Sequence, residues 1–135
     1  MATWQIFSPF KEAVCEKVHN LGSDSLKIAL TNTAPVLTNS VITDISQISG
    51  AGGYVPGTLA GVTSSQSGGT YTLAFGTDLT FTASGASYQP FRYLVLYNDT
   101  AASKNLVGYL DYGISYTLPD TQSFVLTAGT VFTLA

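Results

Sequence analysis

From Thr70 to the end of the chain, short runs of apolar and β-branched residues follow one another, with turn-forming residues between them. Alternate side chains of a strand point to opposite faces, so each run predicts one strand. Asp, Asn, Gly and Pro between the runs favour tight turns. Because no helical segment separates the strands, we expect antiparallel pairing, in a β-sandwich or a partly closed barrel. The expected strands are 70–75, 79–83, 91–97, 106–112, 116–118, 123–127 and 131–134.

The run 91–97 differs from the others because it is apolar on both faces apart from Arg92. Such a pattern is typical of a central strand that is covered on both sides. An earlier run, Leu26 to Leu30, predicts a further strand.

One short helix is expected ahead of the strands, over residues 8–21. Ser8 is a suitable N-cap, Pro9 fits the first helical position, and apolar residues recur every three or four positions up to Leu21. Gly22 then provides the stop. The apolar stripe of this helix is expected to lie on a sheet.

The remaining segments complete a single domain over residues 1–135, a common length for one domain. Residues 1–7 form an N-terminal arm in this interpretation. Residues 32–69 mix Thr, Ser, Asn, Gly and Pro with isolated apolar residues, which predicts a long ordered loop excursion. Within it, 50–53 and 64–69 are expected to be turns or loop tips.

Charged residues make up only 10% of the chain, against roughly 25% in an average soluble domain. A monomer normally keeps itself dispersed with surface charge, so this deficit suggests that other proteins cover part of the surface. The alternative is a secreted or robust β domain whose Ser, Thr, Asn and Gly provide the polarity. A net charge of −3 with scattered cations argues against a nucleic-acid partner.

Membrane insertion and secretion are not expected. No apolar run approaches the roughly 18 to 20 residues that span a bilayer, and the first ten residues lack the regions of a signal peptide. One cysteine, Cys15, cannot form an internal disulfide, in keeping with synthesis in a reducing, cytosolic compartment.

The sequence contains few candidate residues for a catalytic or metal-binding site. Cys15 and His19 are spaced for one helix face, but a closed zinc site needs about four ligands and no other Cys or His exists. We expect Cys15 to be a buried small hydrophobe and His19 a partly exposed surface residue. Most aspartates fall in expected turns, while Asp111 is expected to face solvent or to pair with Arg92 or a lysine. The sequence therefore predicts a protein that is not an enzyme, with no metal and no cofactor.

Aromatic residues are frequent, and most follow strand periodicity as core residues do. Those outside the expected elements are better candidates for contact with a partner, because aromatic side chains often anchor interfaces. The predicted interface residues are Trp4, Phe7, Tyr54, Pro56 and Tyr88.

The order of elements resembles a family of small virion proteins of tailed bacteriophages, of the capsid decoration or cement type. The resemblance spans nearly the whole chain. It is carried by the N-terminal helix and by five segments, which are Ser25 to Leu30, Gly52 to Val62, Tyr93 to Thr100, Leu106 to Gly113 and Phe124 to Leu134.

This resemblance implies a structural role in the virion and no catalytic residue. A decoration protein binds the mature head, commonly as a trimer, and ties neighbouring copies of the major capsid protein together. The expected partners are therefore the major capsid protein or other virion proteins, and further copies of this chain. The alternative is a tail or surface module that binds a glycan or a receptor.

Overall fold

The strands form antiparallel sheets in the computed structural model, which describes residues 3–135. One helix, α1, spans Ser8–Cys15, and two 3₁₀ turns lie at Ile42–Asp44 and Ala51–Gly53. The strands are β1 (Gln5–Ile6), β2 (Leu26–Thr31), β3 (Gly57–Thr58), β4 (Ala60–Ser67), β5 (Thr70–Thr77), β6 (Leu79–Thr82), β7 (Phe91–Asn98), β8 (Leu106–Tyr116), β9 (Ser123–Leu126) and β10 (Gly129–Leu134).

The strands make three open sheets, with orders β1-β8-β7-β2-β3, β10-β5-β4 and β6-β9. The sheets do not close into a barrel, and the arrangement is that of a β-sandwich with one helix. The predicted fold class is confirmed, and of its two forms the sandwich is the one observed.

Strand β7 lies in the middle of the five-stranded sheet, between β8 and β2. Its Leu94, Val95 and Leu96 are almost completely buried, and Ile28 and Leu30 of β2 lie in register with Leu96 and Leu94. The prediction of a central strand covered on both faces is confirmed.

The helix begins where the sequence predicts but ends at Cys15, six residues before Leu21. Phe7 occupies the N-cap position and no side chain caps the helix, so the expected Ser8 cap is wrong. Lys17 then takes a left-handed backbone conformation, with φ +67°, and Val18 N–H donates to Ala13 O. This turn directs His19 and Leu21 into the core, and their burial replaces the last predicted turns of the helix.

The predicted loop excursion is partly wrong, because residues 57–67 contain β3 and β4. Strand β4 forms a hairpin with β5 through Gly68 and Gly69, at φ +58° and +85°. Both positive φ values suit a two-residue turn that matches the twist of the strands. The rest of the excursion is ordered, since Ile45 and Ile48 are buried and Gln47 bridges to Thr31.

Two smaller differences concern the N-terminal residues and the segment that follows β8. Residues 5–7 belong to the fold rather than to an arm, because β1 pairs with β8 and Phe7 is buried; residues 1 and 2 of the predicted arm lie outside the described residues. The expected strand 116–118 does not form separately, since β8 continues to Tyr116 and Leu118 packs into the core outside any strand, where its carbonyl accepts the N–H of Tyr88. No helix in residues 3–135 combines the length and the apolar character needed to cross a bilayer.

Candidate functional site

The residues predicted as interface anchors lie mostly inside the chain. Phe7, Tyr54 and Tyr88 expose 0%, 6% and 4% of their surface, so their rings serve the core of this chain and not a partner surface. Trp4 and Pro56 are half-buried and keep part of their surface accessible. The five residues do not form one patch that the structure brings together, and contact of Trp4 or Pro56 with a partner stays a prediction.

Tyr54 has a structural role that the sequence did not suggest. Its hydroxyl accepts the N–H of Leu30 at 2.9 Å and donates to Oε1 of Gln47 at 2.8 Å. Burial raises the pKa of this phenol. Tyr54 therefore ties the excursion to the edge of the central strands.

The expected environments of Cys15 and His19 are reversed. Cys15 is exposed, whereas His19 is only 8% exposed. Because α1 ends at Cys15, the two residues do not share a helix face. Within residues 3–135, no group of three or more His, Cys, Asp or Glu side chains is arranged to hold a metal ion.

An open groove lies between α1 with the segment 17–24 and the inner face of the sheet β10-β5-β4. We call it the α1 groove, and its volume is about 1010 Å³. Tyr71 and Leu134 lie opposite each other on paired strands, and Phe132 packs its ring against both Tyr71 and Phe10, with centroids 5.7 and 5.6 Å apart. The groove is thus the unfilled end of the sandwich interior. Its apolar walls come from Ile6, Phe10, Val14, Val18, Leu21, Tyr71, Phe132 and Leu134.

His19 forms part of the wall of this groove, and its imidazole contacts the ring of Phe10 in a tilted arrangement, with 4.9 Å between the centroids. Asn98 Nδ2 lies 2.9 Å from His19 Nδ1 and 2.6 Å from Asp24 Oδ2. Asn98 Oδ1 accepts the N–H groups of Thr100 and Ala101, which fixes the orientation of the amide. Both protons of Nδ2 are therefore donated, one to Asp24 and one to His19.

This network determines the protonation of the imidazole. Since Nδ1 accepts a hydrogen bond from the Asn98 amide, the neutral ring carries its proton on Nε2. Burial lowers the pKa of His19, and the neighbouring Asp24 carboxylate opposes that shift in part. Nε2 is buried and has no hydrogen-bond partner among the described residues. His19 thus presents an unpaired donor within an apolar wall.

The basic side chains that line the groove differ from the others in their ion pairing. Lys27 and Lys104 both contact Asp99, and Arg92 makes a two-point contact with Asp111, at 2.8 and 3.0 Å. The Arg92–Asp111 pair is one of the alternatives expected from the sequence. No acidic group of residues 3–135 lies within salt-bridge distance of Lys11 or Lys17, and both line the groove.

Apolar side chains are also exposed away from the groove. On the paired strands β7 and β8, Phe91 lies opposite Tyr116 and Tyr93 lies opposite Asp111. Residues 112–115 of β8 therefore face only one residue of β7, Arg92, and form a bulge. This β8 bulge exposes Tyr112 and Ile114, and Ile114 is 63% exposed. Val55 is 69% exposed, and the remaining large apolar side chains of this kind are Val36, Leu37 and Val125.

The carboxylates act mainly within turns. Asp44 accepts the N–H groups of Ser40 and Val41, which lowers its pKa, and Asp78 accepts the N–H of Ala128. Arg92 lowers the pKa of Asp111, whose Oδ1 also accepts the N–H of Gly113 in the β8 bulge. These contacts agree with the turn-capping roles expected of the aspartates.

A scan against models of protein families finds no match, and searches of curated proteins and of solved structures find none either. The resemblance to phage decoration proteins therefore stays a prediction.

Sequence reasoning did not find the His19–Asn98 pair or the groove. Asn98 is the last residue of β7 and is completely buried. The only signal in the sequence is its position directly after the expected strand 91–97, which is apolar on both faces and therefore places Asn98 at the end of a buried element.

Proposed function

We propose that this chain is a non-enzymatic structural protein of a bacteriophage virion, of the capsid decoration or cement kind. It is made in the host cytoplasm and binds the mature head by surface complementarity. Its partners are the major capsid protein or other virion proteins, and further copies of itself, with a trimer favoured.

The observation that carries the proposal is the combination of scarce charge with exposed apolar side chains. Only 10% of the residues are charged, and Val55 and Ile114 expose well over half of their surface. Apolar groups on a folded surface gain free energy when a partner removes them from water. A sparse charge distribution leaves few ionic groups to desolvate when two surfaces meet.

Repeated binding on one shell lowers the affinity that each contact needs. A standard interface buries about 1,600 Å² in total. When one subunit of an oligomer is bound, the other subunits meet adjacent sites at a high effective concentration, so the oligomer binds more tightly than a single subunit. Modest apolar contacts at Val55 or at the β8 bulge would then suffice to strengthen a head.

Point variants test this proposal better than deletions. Removing residues 1–7 or 50–56 would delete Phe7 or Tyr54 from the core, so loss of binding would not separate contact from folding. Val55→Ser and Ile114→Ser change exposed side chains only. Gln66→Ser, on an exposed position of β4, is the matched control.

The measurement is co-sedimentation with expanded heads assembled from the major capsid protein of the same genome, together with sedimentation velocity of the protein alone. We expect saturable binding of the unchanged protein, loss of about tenfold or more in affinity for at least one apolar variant, and no loss for Gln66→Ser. Absence of saturable binding to heads would overturn the proposal.

A glycan- or receptor-binding module is the second candidate, and one observation favours it. Tyr112 in the β8 bulge is half-exposed and packs on Phe124, at 5.1 Å between centroids. An exposed aromatic ring can stack on a sugar. Binding of glycans that Tyr112→Ala abolishes, without binding to heads, would favour this function over decoration.

A further inference from the structure

We propose that the α1 groove binds one amphipathic anion, a fatty-acid-like molecule with an apolar chain and a carboxylate head. This site is separate from the surfaces invoked for head binding, and the inference goes beyond the proposed function.

The walls fit the apolar part of such a ligand. The groove enters the end of the sandwich between two layers, where Phe10 and Val14 line it from α1 and Phe132 lines it from the sheet. Val18 and Leu134 at its mouth are 37% and 63% exposed. Its volume of about 1010 Å³ lies at the upper end of the range of small-molecule sites. A bound alkyl chain would remove these side chains from water.

The polar groups fit the head of the ligand. His19 Nε2–H is a buried donor without an acceptor among residues 3–135. A buried donor that lacks a partner is costly, so an oxygen that reaches it is favoured. His19 is among the residues that line the groove, so a head group bound at this end lies next to the imidazole.

The charge of the rim selects an anion. The three cations outside the groove are each within 4.0 Å of an aspartate, whereas Lys11 and Lys17 are not. Asp24 also lines the groove, but its Oδ2 accepts from Asn98 and from the N–H of Asn20. Two uncommitted ammonium groups beside an apolar wall therefore favour a carboxylate over a neutral or cationic head.

The experiment uses the full chain and three probes below their micelle concentrations: dodecanoate, dodecanol and dodecyltrimethylammonium. Calorimetric titration should show dodecanoate binding at one site per chain and at least about tenfold more tightly than dodecyltrimethylammonium, because only the anion can engage the donor and both lysines. The Nε2–H resonance of His19 should move when dodecanoate binds. Alkylation of Cys15 by iodoacetamide should slow, since this exposed thiol lines the groove.

Variants separate the two parts of the site. The double variant Lys11→Gln, Lys17→Asn should weaken dodecanoate binding by about three- to tenfold and leave dodecanol unchanged. Asn is chosen at position 17 because it tolerates a positive φ. Lys27→Gln, which removes a cation of β2 outside the groove, should have no effect. Val18→Trp, or Leu134→Trp if the first variant misfolds, should fill the mouth and reduce binding of both dodecanoate and dodecanol.

The inference is overturned if dodecanoate shows no saturable binding, if the cationic probe binds equally well, or if neither tryptophan variant reduces dodecanoate binding. Co-sedimentation with phosphatidylglycerol vesicles in place of dodecanoate binding would also overturn it, because the anion would then be a membrane surface. Binding to heads is a separate measurement, so either proposal can fail without the other.

Discussion

His19 Nδ1 and Asn98 Nδ2 lie 2.9 Å apart, although 79 residues separate them in the chain. Asn98 ends the central strand β7, and His19 belongs to the segment that leaves α1. The contact therefore connects the segment after α1 to the central strand of the five-stranded sheet, and its His19 also lines the α1 groove.

Replacing Asn98 with Ala is expected to lower the free energy of unfolding by about 2–4 kcal/mol, since buried partners of the amide lose their hydrogen bonds. The amide donates to His19 and Asp24 and accepts from Thr100 and Ala101. Denaturant unfolding measures the change. Asn20→Ala, at an exposed position, is the control and should stay within about 0.5 kcal/mol. Equal effects of the two substitutions would contradict the described network.

His19 should make the stability depend on pH in a defined window. Burial lowers its pKa in the folded chain, while the unfolded side chain titrates near about 6.5. As the pH falls below about 6.5, the unfolded state takes up the proton first, so the free energy of unfolding decreases until the folded pKa is passed. Above about 6.5 the contribution of His19 is complete.

The check is denaturant unfolding between about pH 7.5 and 5, compared with His19→Gln, whose side-chain oxygen can still accept from Asn98. The variant should lose most of the slope. Asp44, Asp99 and Asp111 have lowered pKa values, so their protonation affects stability only at more acid pH. An imidazole pKa at or above about 6.5 in the folded chain, measured by NMR, would refute the expectation.

Strands are predicted best from the sequence where apolar and polar side chains alternate or where both faces are apolar. Strand β7 is such a case, because burial on both sides leaves a continuous apolar run. Strand β4 was missed because its residues are mostly exposed Ser, Thr and Gly, and its place depends on backbone pairing with β5. A polar edge strand carries no periodic signal that distinguishes it from a loop.

The end of α1 and the groove depend on distant contacts. Helical spacing continues to Leu21, but Lys17 breaks the helix so that His19 can meet Asn98 and Phe10. Local propensity is a weak guide where tertiary packing competes with it. For the same reason the sequence predicts that Phe7 and Tyr54, which lie outside the expected elements, belong to an interface, although both are buried in the core.

Tyr54→Phe tests whether this aromatic residue is structural. Removing its hydroxyl leaves the buried N–H of Leu30 without a partner, and we expect a loss of about 1–3 kcal/mol in the free energy of unfolding. Tyr88→Phe is the matched control, because its hydroxyl reaches only Thr82 O at 3.4 Å. It should cost less than about 1 kcal/mol. Thermal or denaturant unfolding of both variants measures these losses. A larger loss for Tyr88→Phe than for Tyr54→Phe would refute the structural role of Tyr54.

Gly108 permits the close approach of β1 to β8, and Gly108→Ala should displace the N-terminal strand. A Cβ at this position would lie 2.7 Å from Gln5 O and 3.1 Å from Ile6 Cδ1, so the pair Ile6–Gly108 cannot keep its register. Such overpacking typically costs about 1–3 kcal/mol. Gly129→Ala is the control, since no atom lies within 4 Å of its added Cβ and its φ is not positive. Hydrogen exchange at Gln5 and Ile6 should speed up in the first variant alone; unchanged protection there would show that β1 does not depend on Gly108.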